Sequence, residues 1–363
     1  MLLRDDAAFR LSLVATGQHL TWAGENSLAE IAADGFRIDA KIDLRQPDTT
    51  TVGVSQALAG AVAGFADFFD RRRPDMLLVL GDRFEIFGAV QAAMLARIPV
   101  AHLCGGDLTE GAVDDAVRHA MTKMAHLHFV SNADAARRVR QMGEDPQYIY
   151  QVGSPGLDRI RTVTPMPRDA FFDSIDLKAR AKNAVVTFHP ATLSQDCGSE
   201  CGELMAALDA LGPQVGLIFT GVNQDISAGL LQEMIEAFAV SHDNAVVVPT
   251  LGSRAYFSAL TYADLVIGNS SSGLYEAPSF GVPTVNIGDR QKGRLRAASV
   301  IDCAPDRAAI GAAIALALTR NCAGTRNPYG DGHASERIVS ALKSIGDPAT
   351  LLKKKFHLVG AMS

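Results

Sequence analysis

Four aspartates, Asp82, Asp107, Asp114 and Asp115, fall within one stretch of the chain, residues 81–119. Each stands just past an apolar run or at the start of a helical one. Carboxylates crowded together raise one another's pKa, so one can hold a proton near neutral pH while its neighbour stays ionised. Such a group can act as acid or base in a cleft. Arg118 and His119 follow four residues after Asp114 and Asp115, a spacing that also suits simple pairing along a helix face. Asp82 with Glu85 three residues on also reads as a capping box. His189 ends a second apolar run in Thr187-Phe188-His189-Pro190, where it is either structural or a donor to a phosphate oxygen. Asn269, Ser270, Ser271, Ser272 and Gly273 form a Ser-rich turn ahead of Glu276. A turn of this kind at a helix start offers N–H groups and hydroxyls to an anion, or simply caps the helix. Glu276 could hold ribose hydroxyls. Of the basic run Arg290, Lys292, Arg294 and Arg296, one or two residues are candidates to face that anion, Arg290 first.

These residues need a scaffold of alternating strands and helices. Strands are expected at 10–15, 36–42, 76–80, 99–103, 127–130 and 148–152, with helices at 26–34, 54–69, 84–96, 113–124 and 133–142. A second series has strands at 184–188, 215–220, 245–248, 265–267 and 284–287. Its helices lie at 202–211, 228–240, 308–319 and 335–345. The alternation predicts an α/β fold with mostly parallel sheets, and ligands at the carboxyl ends of the strands. Pro165 and Pro167 mark the expected linker. We therefore expect a domain at 1–164 with the catalytic carboxylates, a nucleotide-binding domain at 165–345 and a tail at 346–363 that folds back on the first domain. No Gly-x-Gly-x-x-Gly follows a strand, which argues against a conventional nicotinamide dehydrogenase.

At 363 residues the chain suits two domains. A net charge of −6 and a sequence pI near 5.8 argue against a nucleic-acid or anionic-membrane binder. The five cysteines are odd in number and irregular in spacing, which fits a reducing cytoplasm better than a disulfide framework. Cys197 and Cys201 lack the second pair that a structural zinc site needs. No apolar run is expected to reach membrane-spanning length.

Together these pieces resemble the hydrolysing UDP-N-acetylglucosamine 2-epimerases of sialic- and legionaminic-acid-type pathways. The matching segments are GDRFE (81–85), GGDLTEGAVDDAVRH (105–119), TKMAHLHFVS (122–131), GEDP (143–146), VGSPGLD (152–158), HPAT (189–192), the long run 263–294 and NPYGDG (327–332). The resemblance implies two Rossmann-like domains of glycosyltransferase-B type with a cleft between them. It implies a UDP-2-acetamido sugar as substrate, no metal or redox cofactor, and a homodimer. A base removes the proton at C2 while UDP leaves C1, and water adds to the glycal with inverted configuration at C2. Carried onto this chain, Asp82 and Asp114 match catalytic carboxylates, Arg118 a substrate-binding arginine, and His189 the residue that helps UDP depart. Ser271, Ser272, Gly273 and Glu276 match the UDP loop. Cys104 stands where relatives place a polar residue, and Asp107 is taken as the third carboxylate. Alternatives are a UDP-binding homologue without turnover and a glycosyltransferase of the same fold. Residues 10–15 match the family's second strand, so the start is either misassigned or truncated. A sheet lacking its central strand would expose unpaired edges, and low stability or activity is expected.

Overall fold

The computed structural model describes residues 1–20, 25–45, 50–110, 113–190, 196–222 and 228–360. Ala191 and Thr192 of the HPAT motif and Gly111 and Ala112 of the TEGA motif lie outside these. The chain divides into two compact units. The first comprises Met1–Asp107, Val113–Ser154 and His333–Ser363, and the second Leu108–Ala112 with Pro155–Gly332.

In the first unit, α1 (Leu2–Asp5), β1 (Val14–Thr16), α2 (Glu25–Ala33) and β2 (Ala40–Ile42) precede the long helix α3 (Thr51–Arg71). Then β3 (Leu77–Leu80), α4 (Phe84–Leu95), β4 (Val100–Leu103), α5 (Val113–Met124), β5 (Leu127–Val130), α6 (Ala133–Gln141) and β6 (Ile149–Gln151) alternate. Strands β3 to β6 form one parallel sheet in chain order, and β1 pairs with β2 in a separate parallel sheet. β3 is therefore an outer strand among the described residues. Its Leu78 and Leu80 are 37% and 57% exposed.

Helix α3 corrects one expectation: by length and composition it could span a membrane. It is used as a core helix. Ala57, Ala61, Phe65, Phe68 and Phe69 are buried in one cluster with α4 residues Ala89, Val90, Ala92 and Ala93. Close approach depends on small residues, because a Cβ on Gly88 would meet the Ala61 Cβ at 2.6 Å.

In the second unit the elements are α7 (Asp158–Thr162), α8 (Arg168–Ser174), β7 (Lys182–Thr187), α9 (Cys197–Asp209), β8 (Val215–Thr220), α10 (Ala228–Ser241) and β9 (Ala245–Val248). They continue with α11 (Gly252–Tyr262), β10 (Leu265–Gly268), α12 (Ser272–Tyr275), β11 (Thr284–Ile287), β12 (Val300–Cys303) and α13 (Arg307–Thr319). One parallel six-stranded sheet has the order β12-β11-β10-β7-β8-β9. Its inner strands β7, β8, β10 and β11 are largely apolar and buried, as expected where helices cover both faces. Cys197 and Cys201 of α9 are buried in that core, and burial pushes the Cys201 thiol up to about 11.

Helix α14 (Ala334–Ser344) belongs to the first unit, where Ala334, Ile338 and Ala341 pack with Leu103, Leu127, Phe129 and Val152. The crossings therefore fall at Ser154/Pro155 and Gly332/His333 rather than at 164/165 and 345/346. Residues 162–168 are no open linker. The Met166 N–H donates to Ser258 Oγ at 2.8 Å, and Tyr262 donates to the Met166 carbonyl.

Candidate functional site

The carboxylate group of the first unit sits beyond β3 and β4 and at the start of α5. Asp82 follows Gly81, whose φ of +81° lets the chain turn off the strand. The capping-box reading fails here. The N-cap of α4 is Arg83, which makes no side-chain cap bond, and Glu85 pairs with Arg83 at 2.7 Å. Asp82 instead pairs with Arg118 Nη2. Arg118 is 4% exposed, and its Nη1 donates to the Asp107 carbonyl at 2.8 Å and to Asp115 Oδ1 at 3.3 Å. One guanidinium thus gathers three of the four aspartates.

Asp115 also lies 3.3 Å from His119 Nε2. The helix-face pairing is therefore Asp115 with both Arg118 and His119. Asp114 makes no ion pair among the described residues. Desolvation and the charge of Asp82 push its carboxyl up, against the pull of Arg118 and Arg83. This is the split environment expected of an acid–base pair, with one carboxylate salt-bridged and its neighbour biased toward its protonated form.

Asp107 has a more structural setting. It is 7% exposed and accepts from Ser131 Oγ at 2.8 Å and from Asn132 Nδ2 at 3.0 Å. Asn132 in turn caps α6 through the Ala135 N–H. Gly106 before it must be glycine, because a Cβ there would meet the Ala135 carbonyl at 2.6 Å. Cys104 is half-buried with a φ of +61°.

The sequence reading missed His102. It is fully buried, and its Nε2 lies 2.8 Å from the Gly81 carbonyl. A carbonyl only accepts, so Nε2 carries the proton. Burial pushes the ring down to about 4, leaving it neutral. His102 thereby fixes the turn from which Asp82 projects. An apolar strand offers no sequence signal for this; the contact is long-range.

The second unit gathers His189 and Asn269 at the ends of β7 and β10. The His189 N–H donates to Asn269 Oδ1, and Asn269 Nδ2 donates to the His189 carbonyl, both at 2.8 Å. Asn269 is 2% exposed, and its carbonyl accepts from Arg290 Nη1 at 3.2 Å and Gln291 Nε2 at 2.8 Å. This joins Asn269, His189 and Arg290. Burial, then the charge of Arg290, lowers the His189 ring to about 4, so it is a neutral donor or acceptor at physiological pH.

Ser271 is the N-cap of α12 but makes no side-chain cap bond, so capping does not account for the serine. Ser270 Oγ accepts weakly from the Ser272 N–H at 3.4 Å, and the Ser272 hydroxyl bonds the Tyr256 hydroxyl. A Cβ on Gly273 would meet Thr284 Cγ2 at 2.6 Å. α12 has only four residues, so its dipole is small, and hydroxyls and side chains must supply most of any anion affinity. Glu276 has its Oε2 buried without a partner among the described residues. Desolvation raises its carboxyl to about 7 even though Arg294 opposes the rise. A buried carboxylate oxygen with nothing to accept from fits a ligand hydroxyl. Arg296 pairs with Asp302 instead, and Lys292 is exposed.

The sequence model described as UDP-N-acetylglucosamine 2-epimerase matches residues 2–343. A Campylobacter jejuni protein named GDP/UDP-N,N'-diacetylbacillosamine 2-epimerase (hydrolyzing) is 35% identical over 83% of this chain and 78% of its own. A Legionella pneumophila UDP-N,N'-diacetylbacillosamine 2-epimerase (hydrolyzing) is 34% identical over 95% and 90%. Among solved structures, the UDP-GlcNAc 2-epimerase of Neisseria meningitidis bound to UDP-GlcNAc aligns over 95% of this chain and 94% of its own. Its TM-score is 0.80 at 16% identity, a likeness of fold.

Proposed function

Because the chain belongs to the UDP-N-acetylglucosamine 2-epimerase family, we propose that it is a hydrolysing 2-epimerase. It turns a UDP-2-acetamido sugar into UDP and the free 2-epimer. The observation that carries the reading is the Asp82–Asp114 pair, in which Arg118 binds one carboxylate and the other is pushed toward its protonated form.

Asp82, paired with Arg118, takes the proton from C2 as the C1–O bond to UDP breaks and the C1–C2 double bond forms. The C2 proton is weakly acidic, so base and departing group must act together. Negative charge builds on the diphosphate and is met by Arg290, the neutral N–H of His189 and the Ser270–Ser272 hydroxyls. Asp114 then delivers its proton to C2 while water adds at C1 and recharges it. The proton on Asp82 leaves with UDP to solvent. Asp107 positions Arg118 through its carbonyl. In this reading the first unit works on the sugar, and the second holds the nucleotide through Asn269, Ser271, Gly273 and Glu276. The names of the two bacterial relatives favour the 2,4-diacetamido-2,4,6-trideoxy sugar over N-acetylglucosamine. A cytoplasmic site is supported by five free cysteines, and a homodimer remains part of the proposal.

The test is product analysis in deuterated water with both UDP-sugars side by side. UDP and a free 2-epimer carrying deuterium at C2 are expected. A 2-epimer still attached to UDP would make the protein a non-hydrolysing epimerase, and product formed only with an added sugar acceptor would make it a transferase.

A further inference from the structure

The second unit takes in a few residues from between two of the carboxylates, Leu108–Ala112. Thr109 lies two positions after Asp107 and five before Asp114. Its hydroxyl accepts from Arg294 Nη2 at 3.3 Å. The chain is tightly seated there. Gly293 has a φ of +84°, and a Cβ on it would meet Leu108 Cβ and Glu110 Cγ at 3.2 Å.

Arg294 also reaches the nucleotide-type loop. Its guanidinium lies over the Tyr275 ring at 5.3 Å. That ring is held rigid: Tyr275 stacks on Tyr329 at 3.8 Å, Tyr329 is 1% exposed, and its hydroxyl donates to the Leu295 carbonyl. Asn327 Nδ2 donates to the Tyr275 carbonyl at 2.6 Å. Arg294 Nε is buried with no partner among the described residues, as is Glu276 Oε2 on the same loop. A buried guanidinium N–H and a buried carboxylate oxygen left idle together are groups that a ligand would satisfy.

We propose that Arg294 is a positioning residue: a nucleoside diphosphate beside Glu276 engages its idle Nε and so fixes its Nη2 on Thr109. Nucleotide occupancy then fixes residues 108–110, which lie between Asp107 and Asp114 in the sequence. The inference rests on the 2-epimerase reading for its meaning in catalysis, but the coupling itself needs only UDP binding. A guanidinium suits the task because its donors lie in one rigid plane, so a ligand that orients Nε also orients Nη2.

The first measurement is amide hydrogen exchange at 108–110 in the full chain, with and without UDP. UDP should protect these amides in the natural protein. Thr109→Val should abolish the protection while leaving UDP affinity within about twofold, and Thr109→Ser should restore it. With the UDP-sugar, Thr109→Val should lower kcat by roughly tenfold with little change in KM, and adding Arg294→Met should lower kcat no further than Arg294→Met alone. Absence of UDP protection in the natural protein, equal protection in Thr109→Val, or losses that multiply in the double variant would each overturn the proposal. An inactive natural protein whose 108–110 amides are nonetheless protected by UDP through Thr109 would refute the epimerase reading and leave the coupling supported.

Discussion

Arg118 of α5 bonds Asp82 with one nitrogen and the Asp107 carbonyl with another. Helix α5 thus holds the residue that follows β3 and the loop that follows β4. Arg118 lies 36 positions after Asp82 in the chain, so only the parallel sheet, which sets β3 beside β4, brings them together.

Replacing Arg118 should therefore hurt catalysis more than folding suggests. Arg118→Lys keeps the charge but cannot serve Asp82 and Asp107 at once. We expect kcat to fall by about a hundredfold, the order seen when reacting groups are misplaced by an ångström. Affinity for UDP alone should be unchanged, because Arg118 is placed by its bonds to Asp82, Asp107 and Asp115 of the first unit. Calorimetry with UDP beside steady-state kinetics checks both, and a lost UDP affinity would contradict the assignment.

Glu276 gives a pH dependence with a definite sign. Its carboxyl is raised in the fold to about 7, so the folded chain binds more protons than the unfolded one between the ordinary carboxylate range and that value. Its favourable contribution is complete below that range and is lost as pH rises through 7. Glu276→Gln removes the titrating group and keeps its shape. The melting temperature of the variant relative to the natural protein should rise from pH 5 to pH 8. A difference that stays flat across that range would mean the carboxylate is solvated.

Asn269 closes a two-bond ring with the main chain of His189. Asn269→Ala would leave a buried N–H and a buried carbonyl unsatisfied, at a cost of about 2–4 kcal/mol. It should also loosen His189, whereas Arg290 keeps its bond to the main-chain carbonyl of residue 269. Urea denaturation should show the loss of stability, and UDP affinity should fall with it. Full UDP affinity in a destabilised variant would separate the ring from the nucleotide site.

How much of this could be read beforehand varies with the range of the interaction. α5, β5, β8, β9 and β11 have the ends that periodicity predicts, because each is a sharp apolar pattern bounded by turn residues. β12 was missed: Val-Ile-Asp-Cys lies at a sheet edge and is only partly buried, so no long apolar run marks it. The two groups of site residues were legible because each lies near a strand end in sequence. Their supports were not. His102 acts on Gly81, and Ser131 acts on Asp107, through neighbours that only the sheet order supplies. The crossing at Ser154 was hidden because Met166, in a Pro-rich stretch that looks like a linker, is tied to Ser258 and Tyr262.

The last prediction concerns the C-terminal segment. Glu144 has a side chain 2% exposed and accepts from Lys123, Lys354 and His128 at 2.7 to 2.9 Å. Desolvation would raise its carboxyl, but the bonds from His128, Lys123 and Lys354 outweigh it and bring it down to about 2. Lys354 also donates to the carbonyls of Lys123 and Ala125, and the His357 N–H donates to the Gly143 carbonyl. The tail is thus clasped to the first unit through one buried carboxylate. A depressed carboxyl contributes stability above the ordinary carboxylate range and loses it as pH falls from there toward 2. Removing one partner of a buried pair strands the others, so Glu144→Gln should cost about 3 kcal/mol at pH 7. That gap should narrow steadily below pH 4.5 as the natural carboxylate is protonated. Urea midpoints taken from pH 7 down to pH 3 test it; a gap that does not close on acidification would show that Glu144 stabilises by shape rather than by charge.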